Sequence, residues 1–319
     1  MKIMFWNIFK VGSGKLKKNL SATISNGGMG NNIQDYIVKV ATGNAIWQNA
    51  TTTTPVDVLV IIELVSGGTQ KDMLGYGSCL RVLSALQASM NAAVNAVNYK
   101  YKYVAPRVIG TRESVGVLYN KRTLTYVSSQ SVRNTANEFI RPRTAFLTVF
   151  DNGGAPLNIV GIHGPTSTPQ NYRASVVFTQ QIADVASINQ VAVNPAEDLC
   201  VGGDFNCDPT SGYLAYQNGQ QKTLYAFSKL KQLYNYQITL ANGTLTSLRN
   251  RVDNTQPPPA NYLSQPYDNI VFQLPSLMHN PPVRRVNVIG DAPLYATNQV
   301  AVFNAARAVS DHLPMTIAW

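Results

Sequence analysis

Charge is what this sequence has least of. Asp, Glu, Lys and Arg make up 13% of its 319 residues, about half the roughly 25% usual for soluble domains. Asn, Gln, Thr, Ser and Tyr must carry the polar surface instead. Acids are the scarcer sign, 16 against 26 bases, which leaves a net charge of +10. That balance favours a polyanionic partner, nucleic acid or an acidic phospholipid surface. Cysteine is also scarce. Cys79, Cys200 and Cys207 lack metal-ligand spacing, and their odd number leaves at least one thiol free. Cys79 falls in a helical pattern and Cys200 in an apolar strand, so both read as core residues. One disulfide through Cys207 stays open. No run approaches the ~18 apolar residues of a membrane span. Met1 to Phe9 is too short for a signal peptide and is interrupted by Trp6-Asn7. The chain reads as soluble, cytoplasmic or exported, and as a monomer.

What is present is a hydrophobic fraction of 45%, enough for a sizeable core. No internal repeat or composition break divides the chain, so residues 1–319 read as one domain. Strands are expected at 2–8, 56–62, 101–107, 114–119, 123–127, 143–150, 157–163, 198–201, 268–274 and 312–319. Helices are expected at 33–41, running on toward Trp47, and at 79–97, 172–191 and 223–234. Residues 11–31 read as a long exposed loop. Within it Gly12-Ser13-Gly14-Lys15 lacks the spacing of a phosphate loop and reads as flexible and basic. Several strand pairs look like hairpins, one of them turning at Asn152-Gly153-Gly154. Without regular βαβ alternation, this favours an α/β sandwich of mixed or antiparallel sheets.

The stretch Leu199-Cys200-Val201-Gly202-Gly203-Asp204-Phe205-Asn206 runs from an apolar strand through two glycines into an acid and an amide. If the backbone stays extended, Asp204 and Asn206 share one side and Phe205 points into the core. The alternative is a β-turn with Asp and Asn as turn formers. Other polar residues also sit at the ends of apolar strands: Asn7, Glu63, His163, Asp268 and Asp311-His312. Strand ends in one layer converge on one edge of a sheet. His279 lies in a Pro-rich loop with no evident partner and reads as surface.

In order, Trp6-Asn7, Glu63, His163, Gly203-Asp204-Phe205-Asn206, Tyr267-Asp268 and Ser310-Asp311-His312-Leu313-Pro314 resemble the motif set of the endonuclease/exonuclease/phosphatase superfamily. The nearest branch is that of deoxyribonuclease I and the cytolethal distending toxin catalytic subunit. The resemblance spans nearly the whole chain. It implies a four-layered α/β sandwich, two mostly antiparallel sheets face to face with helices outside. It also implies phosphoester hydrolysis with a divalent ion, Mg²⁺ or else Mn²⁺ or Ca²⁺. Glu63, Asn7 and Asp311 would be the metal ligands. His312 would be the general base with Asp268 as its partner, and Asp204 and Asn206 would orient water and phosphate oxygen. His163 would bind phosphate or protonate the leaving oxygen, supported by Glu113. Arg141 resembles the phosphate-clamping arginine, with Arg143 as competitor. Ile62 departs from the Gln that many relatives carry before the glutamate.

The charge balance, the basic segments Lys15-Leu16-Lys17-Lys18 and Lys100-Tyr101-Lys102-Tyr103, and His163 favour a nuclease acting on DNA. A phosphoinositide phosphatase or sphingomyelinase-like enzyme is the alternative. An inactive nucleic-acid-binding module ranks third. The abundance of Asn, Thr and Tyr leans toward an exported protein such as a toxin.

Overall fold

A computed structural model describes residues 1–43, 54–134, 136–166, 173–183, 197–208, 210, 212–217, 219–229, 237–238, 244–278 and 280–319. In chain order the strands are β1 (Lys2–Val11), β2 (Val58–Val65), β3 (Tyr101–Gly110), β4 (Glu113–Asn120), β5 (Thr125–Ser131), β6 (Phe146–Asp151), β7 (Pro156–His163), β8 (Asp198–Asp204), β9 (Gly212–Gln217), β10 (Gln220–Tyr225), β11 (Gln237–Ile238), β12 (Asp268–Gln273), β13 (Val283–Arg285) and β14 (Met315–Ala318). The helices are α1 (Ser13–Leu16), α2 (Ala22–Asn26), α3 (Ile33–Ala41), α4 (Ser78–Ala93), α5 (Arg173–Ala183) and α6 (Tyr295–Val309).

Two six-stranded sheets form, in the orders β13-β14-β1-β2-β4-β3 and β11-β12-β8-β7-β6-β5. Only β1–β2 and β7–β8 pair in parallel; the other described pairs are antiparallel. The central strands read as unbroken apolar runs because both of their faces are buried. Alternation still sorts their side chains. Ile3 and Phe5 of β1, with Val58, Val60 and Ile62 of β2, fill the space between the sheets. Met4, Trp6, Leu59 and Ile61 turn the other way, onto α3, α4 and α6. On the second sheet Leu157, Ile159 and Cys200 face inward. Val160, Ile162, Leu199 and Val201 face outward, onto Val176, Phe178 and Ile182 of α5. Helices, sheet, sheet and helix make the expected four layers. Gly202 lets the sheets approach: a Cβ there would lie 2.7 Å from the Phe5 ring. No described helix is long and apolar enough to cross a membrane.

Several expectations are corrected. Residues 11–31 are not an exposed loop, because α1 and α2 fold there and bury Leu16, Ile24 and Met29 in the helix-side core. Thr223 to Tyr225 belong to a β9–β10 hairpin, not to a helix. Tyr295 to Val309 form a helix that the sequence pattern does not announce, kinked at Asn298. Lys100 to Tyr103 are ordinary strand alternation: Tyr101 is buried and donates to Val56 O at 2.6 Å. Cys79, Cys200 and Cys207 are all buried free thiols, so Cys207 forms no disulfide. The 33–41 helix ends at Ala41, with the stretch toward Trp47 outside the described residues, as are residues 184–191, 230–234 and His279.

Candidate active site

Pairing alone brings one row of polar residues together. In the second sheet His163 is level with Asp204 across the parallel β7–β8 pair, and Asp204 is level with Asp268 across the antiparallel β8–β12 pair. The strand ends at Asp204 and the chain turns. Gly203 has φ +135 and Asn206 φ +52, and Asp204 Oδ1 accepts the Asn206 N–H at 2.8 Å. The turn and the polar cluster are thus the same structure. Asn206 Nδ2 donates to Gly164 O at 3.0 Å. Phe205 points into the core as expected, on the helix-covered face of the second sheet. It packs edge-on against Phe227, 4.7 Å between centroids, in the outer cluster.

The first sheet meets this row from its own edge. Asn7 Nδ2 donates to Asp204 Oδ2 at 3.1 Å, and Asn7 Oδ1 accepts the Phe9 N–H at 3.0 Å. Neither β1 nor β2 ends at its polar residue; both run on to Val11 and Val65 after a register shift. Phe9, Lys10 and Glu63 have positive φ of 31, 49 and 64 at this irregularity. Such a bulge re-aims side chains. Glu63 Oε2 accepts the Lys10 N–H at 3.0 Å, and its Oε1 lies 3.4 Å from His163 Nε2.

Two imidazoles, each held by a carboxylate at Nδ1, face the row. His163 Nδ1 bonds Glu113 Oε1 at the start of β4. Glu113 Oε2 in turn accepts from Arg143 Nε at 3.0 Å, and Arg143 Nη1 donates to Gly164 O at 2.8 Å. The arginine joined to the site is therefore Arg143. Arg141 is exposed and makes no hydrogen bond within this group. His312 Nδ1 lies 2.7 Å from Asp268 Oδ2, and its backbone accepts from Trp6 Nε1 at 3.0 Å. Ser310 Oγ caps the turn, accepting the His312 N–H at 2.9 Å and donating to Asn7 O. The two Nε2 atoms converge on Asp204 Oδ2, at 3.6 Å from His163 and 3.5 Å from His312.

Burial alone would lower both imidazole pKa values, but the facing carboxylates outweigh it. His163 is raised, chiefly by Glu113, and His312 is held up at about 10 by Asp268 and Asp204. Burial would raise Glu113, yet His163 and Arg143 bring it below the usual carboxylate range. Burial pushes Glu63 and Asp268 up. In both pairs the carboxylate at Nδ1 favours the charged imidazole against the burial that opposes it.

Glu63, Glu113 and His163 place ligand atoms within 4.8 Å of one another, as do Asp204, Asp268 and His312, so these acidic and imidazole groups could hold a divalent ion. Asp311 Oδ1 is buried without a hydrogen-bond partner among the described residues, and lies 3.7 Å from His312 Nε2. An orphaned carboxylate oxygen suits a hard cation that keeps some of its water, but Asp311 falls in neither of the two ligand clusters just described. Lys15, expected on a mobile loop, is built in here instead. It donates to Ile8 O at 3.0 Å and to Phe9 O at 2.6 Å. Burial lowers its pKa to about 8, against the pull of Asp311 and Glu63. Thr246, whose Oγ1 accepts the Asp268 N–H at 2.9 Å, together with Ser310 and Lys15, was given no site role by the sequence reading. Of these only Ser310 had a signal, its place in Ser-Asp-His.

No protein-family model and no curated protein matches the sequence. Solved structures do. The human Nocturnin catalytic domain is 13% identical over 99% of this chain and 93% of its own, with a TM-score of 0.54. Truncated TDP2 from Caenorhabditis elegans is 13% identical over 99% and 96%, with a TM-score of 0.52. An endonuclease/exonuclease/phosphatase family protein from Leptotrichia buccalis is 10% identical over 100% and 98%, with a TM-score of 0.54. At such identities the likeness is one of fold, and the fold of this chain is that of the endonuclease/exonuclease/phosphatase, or deoxyribonuclease I-like, superfamily.

Proposed function

We propose that this protein is a divalent-metal-dependent phosphoesterase, specifically a deoxyribonuclease I-like nuclease that hydrolyses DNA. The observation that carries this reading is the convergence of His163 and His312 on one oxygen of Asp204, each imidazole steered by its own carboxylate. Phosphodiester hydrolysis needs a base for the attacking water and an acid for the leaving oxygen. With Nδ1 tied to a carboxylate, each ring presents Nε2 to the substrate, as in other His–carboxylate pairs. His312 is the base and His163 the phosphate ligand or acid. Asp204 and Asn206 orient water and phosphate oxygen, and Arg143 fixes Glu113. Asn7, Glu63 and Asp311 would hold the ion. Once bound, the ion would polarise phosphate and water and ease the proton from His312 by charge repulsion. The net charge of +10 supports nucleic acid as substrate.

The test is nicking of supercoiled plasmid with Mg²⁺, with EDTA, and with the His163→Ala variant. Metal-dependent nicking that the variant lacks supports the reading. Folded protein that leaves plasmid intact but releases phosphate from phosphoinositides or inositol phosphates overturns it in favour of a phosphatase.

A further inference from the structure

A cavity of about 740 Å³ opens beside the His163–Glu113 pair, and the chemistry above makes no use of it. Lys71, Gly110, Arg133, Glu138, Phe139 and Arg141 are among the residues lining it. It shares a wall with the catalytic centre: a Cβ on Gly110 would lie 3.1 Å from Arg143 Cγ, and Arg143 holds Glu113.

The lining has two distinct parts. In the first, Lys71 Nζ donates to Ile140 O at 3.1 Å, which sets its ammonium beside the next residue, Arg141. Arg141 has no hydrogen-bond or ion-pair partner among the described residues. The two like charges press on each other: after burial, Arg141 is the cause of the lowered Lys71 pKa. An anion between them relieves that repulsion. In the second part, the Arg133 guanidinium lies 3.8 Å over the Phe139 ring. Asn137 O at 3.0 Å and Asp72 at 4.0 Å hold it there. A guanidinium 3.8 Å over an aromatic ring, as here, is a stacking surface for a nucleobase. A lipid or inositol headgroup brings phosphate but no planar ring, so the platform favours a nucleotide.

We propose that this cavity is a nucleotide subsite: Lys71 and Arg141 hold the phosphate next to the scissile one, and the Arg133–Phe139 stack carries the attached base. The proposal rests on the phosphodiesterase reading, which puts the scissile phosphate at His163.

The experiment reads binding, so it does not depend on turnover. A short fluorescein-labelled single strand is titrated by anisotropy in EDTA against the His163→Ala protein. The same titration is run with Arg141→Ala or Phe139→Leu added and with folding checked by melting. Arg141→Ala should weaken binding and flatten the salt dependence of log Kd by about 0.7, one phosphate contact on a single strand. Phe139→Leu should weaken binding about tenfold with the salt slope unchanged. Unaltered affinity in both variants, or no binding by the parent, overturns the subsite. Phosphoinositide vesicles displacing the strand better than a dinucleotide does would overturn the choice of nucleotide. Plasmid nicking is scored separately: a protein that does not nick, yet loses strand binding in both variants, loses the nuclease reading and keeps the subsite.

Discussion

His312 Nδ1 stands 2.7 Å from Asp268 Oδ2, a residue 44 positions earlier in the chain. The carboxylate is buried and also takes its backbone position from Thr246, whose Oγ1 accepts the Asp268 N–H at 2.9 Å. Asp268 therefore fixes which ring nitrogen of His312 faces Asp204. Asp268→Asn keeps the shape and removes the charge. Turnover in the nicking assay should fall about 10²–10⁴-fold, the usual worth of an acid–base group. Far-ultraviolet circular dichroism should not change.

A second prediction concerns the ion. Mg²⁺ bound only by the folded protein raises the melting temperature through mass action. Asp311→Asn removes the carboxylate charge whose Oδ1 lacks a partner among the described residues. The Mg²⁺ concentration needed for half the melting shift should rise roughly 10–100-fold. An unchanged titration would remove Asp311 from the ligand set.

A third concerns Lys2, whose side chain lies against Thr54 O at 3.0 Å. Burial lowers its pKa from 10.5 to about 8, against the pull of Asp57. Between those values the unfolded chain binds a proton that the folded protein has lost, so this group makes stability rise with pH. Below pH 8 the buried charge costs stability. Lys2→Met should melt higher than the parent at pH 7, and the gap should narrow toward pH 10. A gap that widens with pH would contradict the assignment.

The fourth tests the packing of sheet on sheet. Gly202→Ala would put a methyl 2.7 Å from the Phe5 ring. Overpacking of this kind costs about 1–3 kcal/mol, read as a lower urea midpoint with the slope unchanged. Adding Phe5→Leu should recover part of the loss, because the two residues touch and their effects couple.

Much of this site was legible because polar residues recur at or near the ends of apolar runs. Asn7, Glu63, His163, Asp204, Asp268 and His312 do meet in space. Choosing between Arg141 and Arg143 was beyond the sequence. Two residues apart on an extended chain, they point to the same side, and Glu113 and Gly164, distant in sequence, make the choice. The β9–β10 hairpin was missed although Asn218-Gly219 between its strands is a standard turn signal. Strand β10 is exposed or half-buried along its length, so no buried face marks it by alternation. Helix α6 was missed because Ala305 and Ala306 make up part of its buried face and alanine contributes little to an apolar pattern. The bulge that aims Glu63 depends on pairing between strands, which local sequence does not encode.

The bond from Trp6 to the backbone of His312 joins residues 306 positions apart. In synthesis, β1 therefore cannot pair with its antiparallel neighbour β14 until the intervening residues have been made. A chain that stops anywhere between Trp6 and His312 forms neither this bond nor the His312–Asp268 pair.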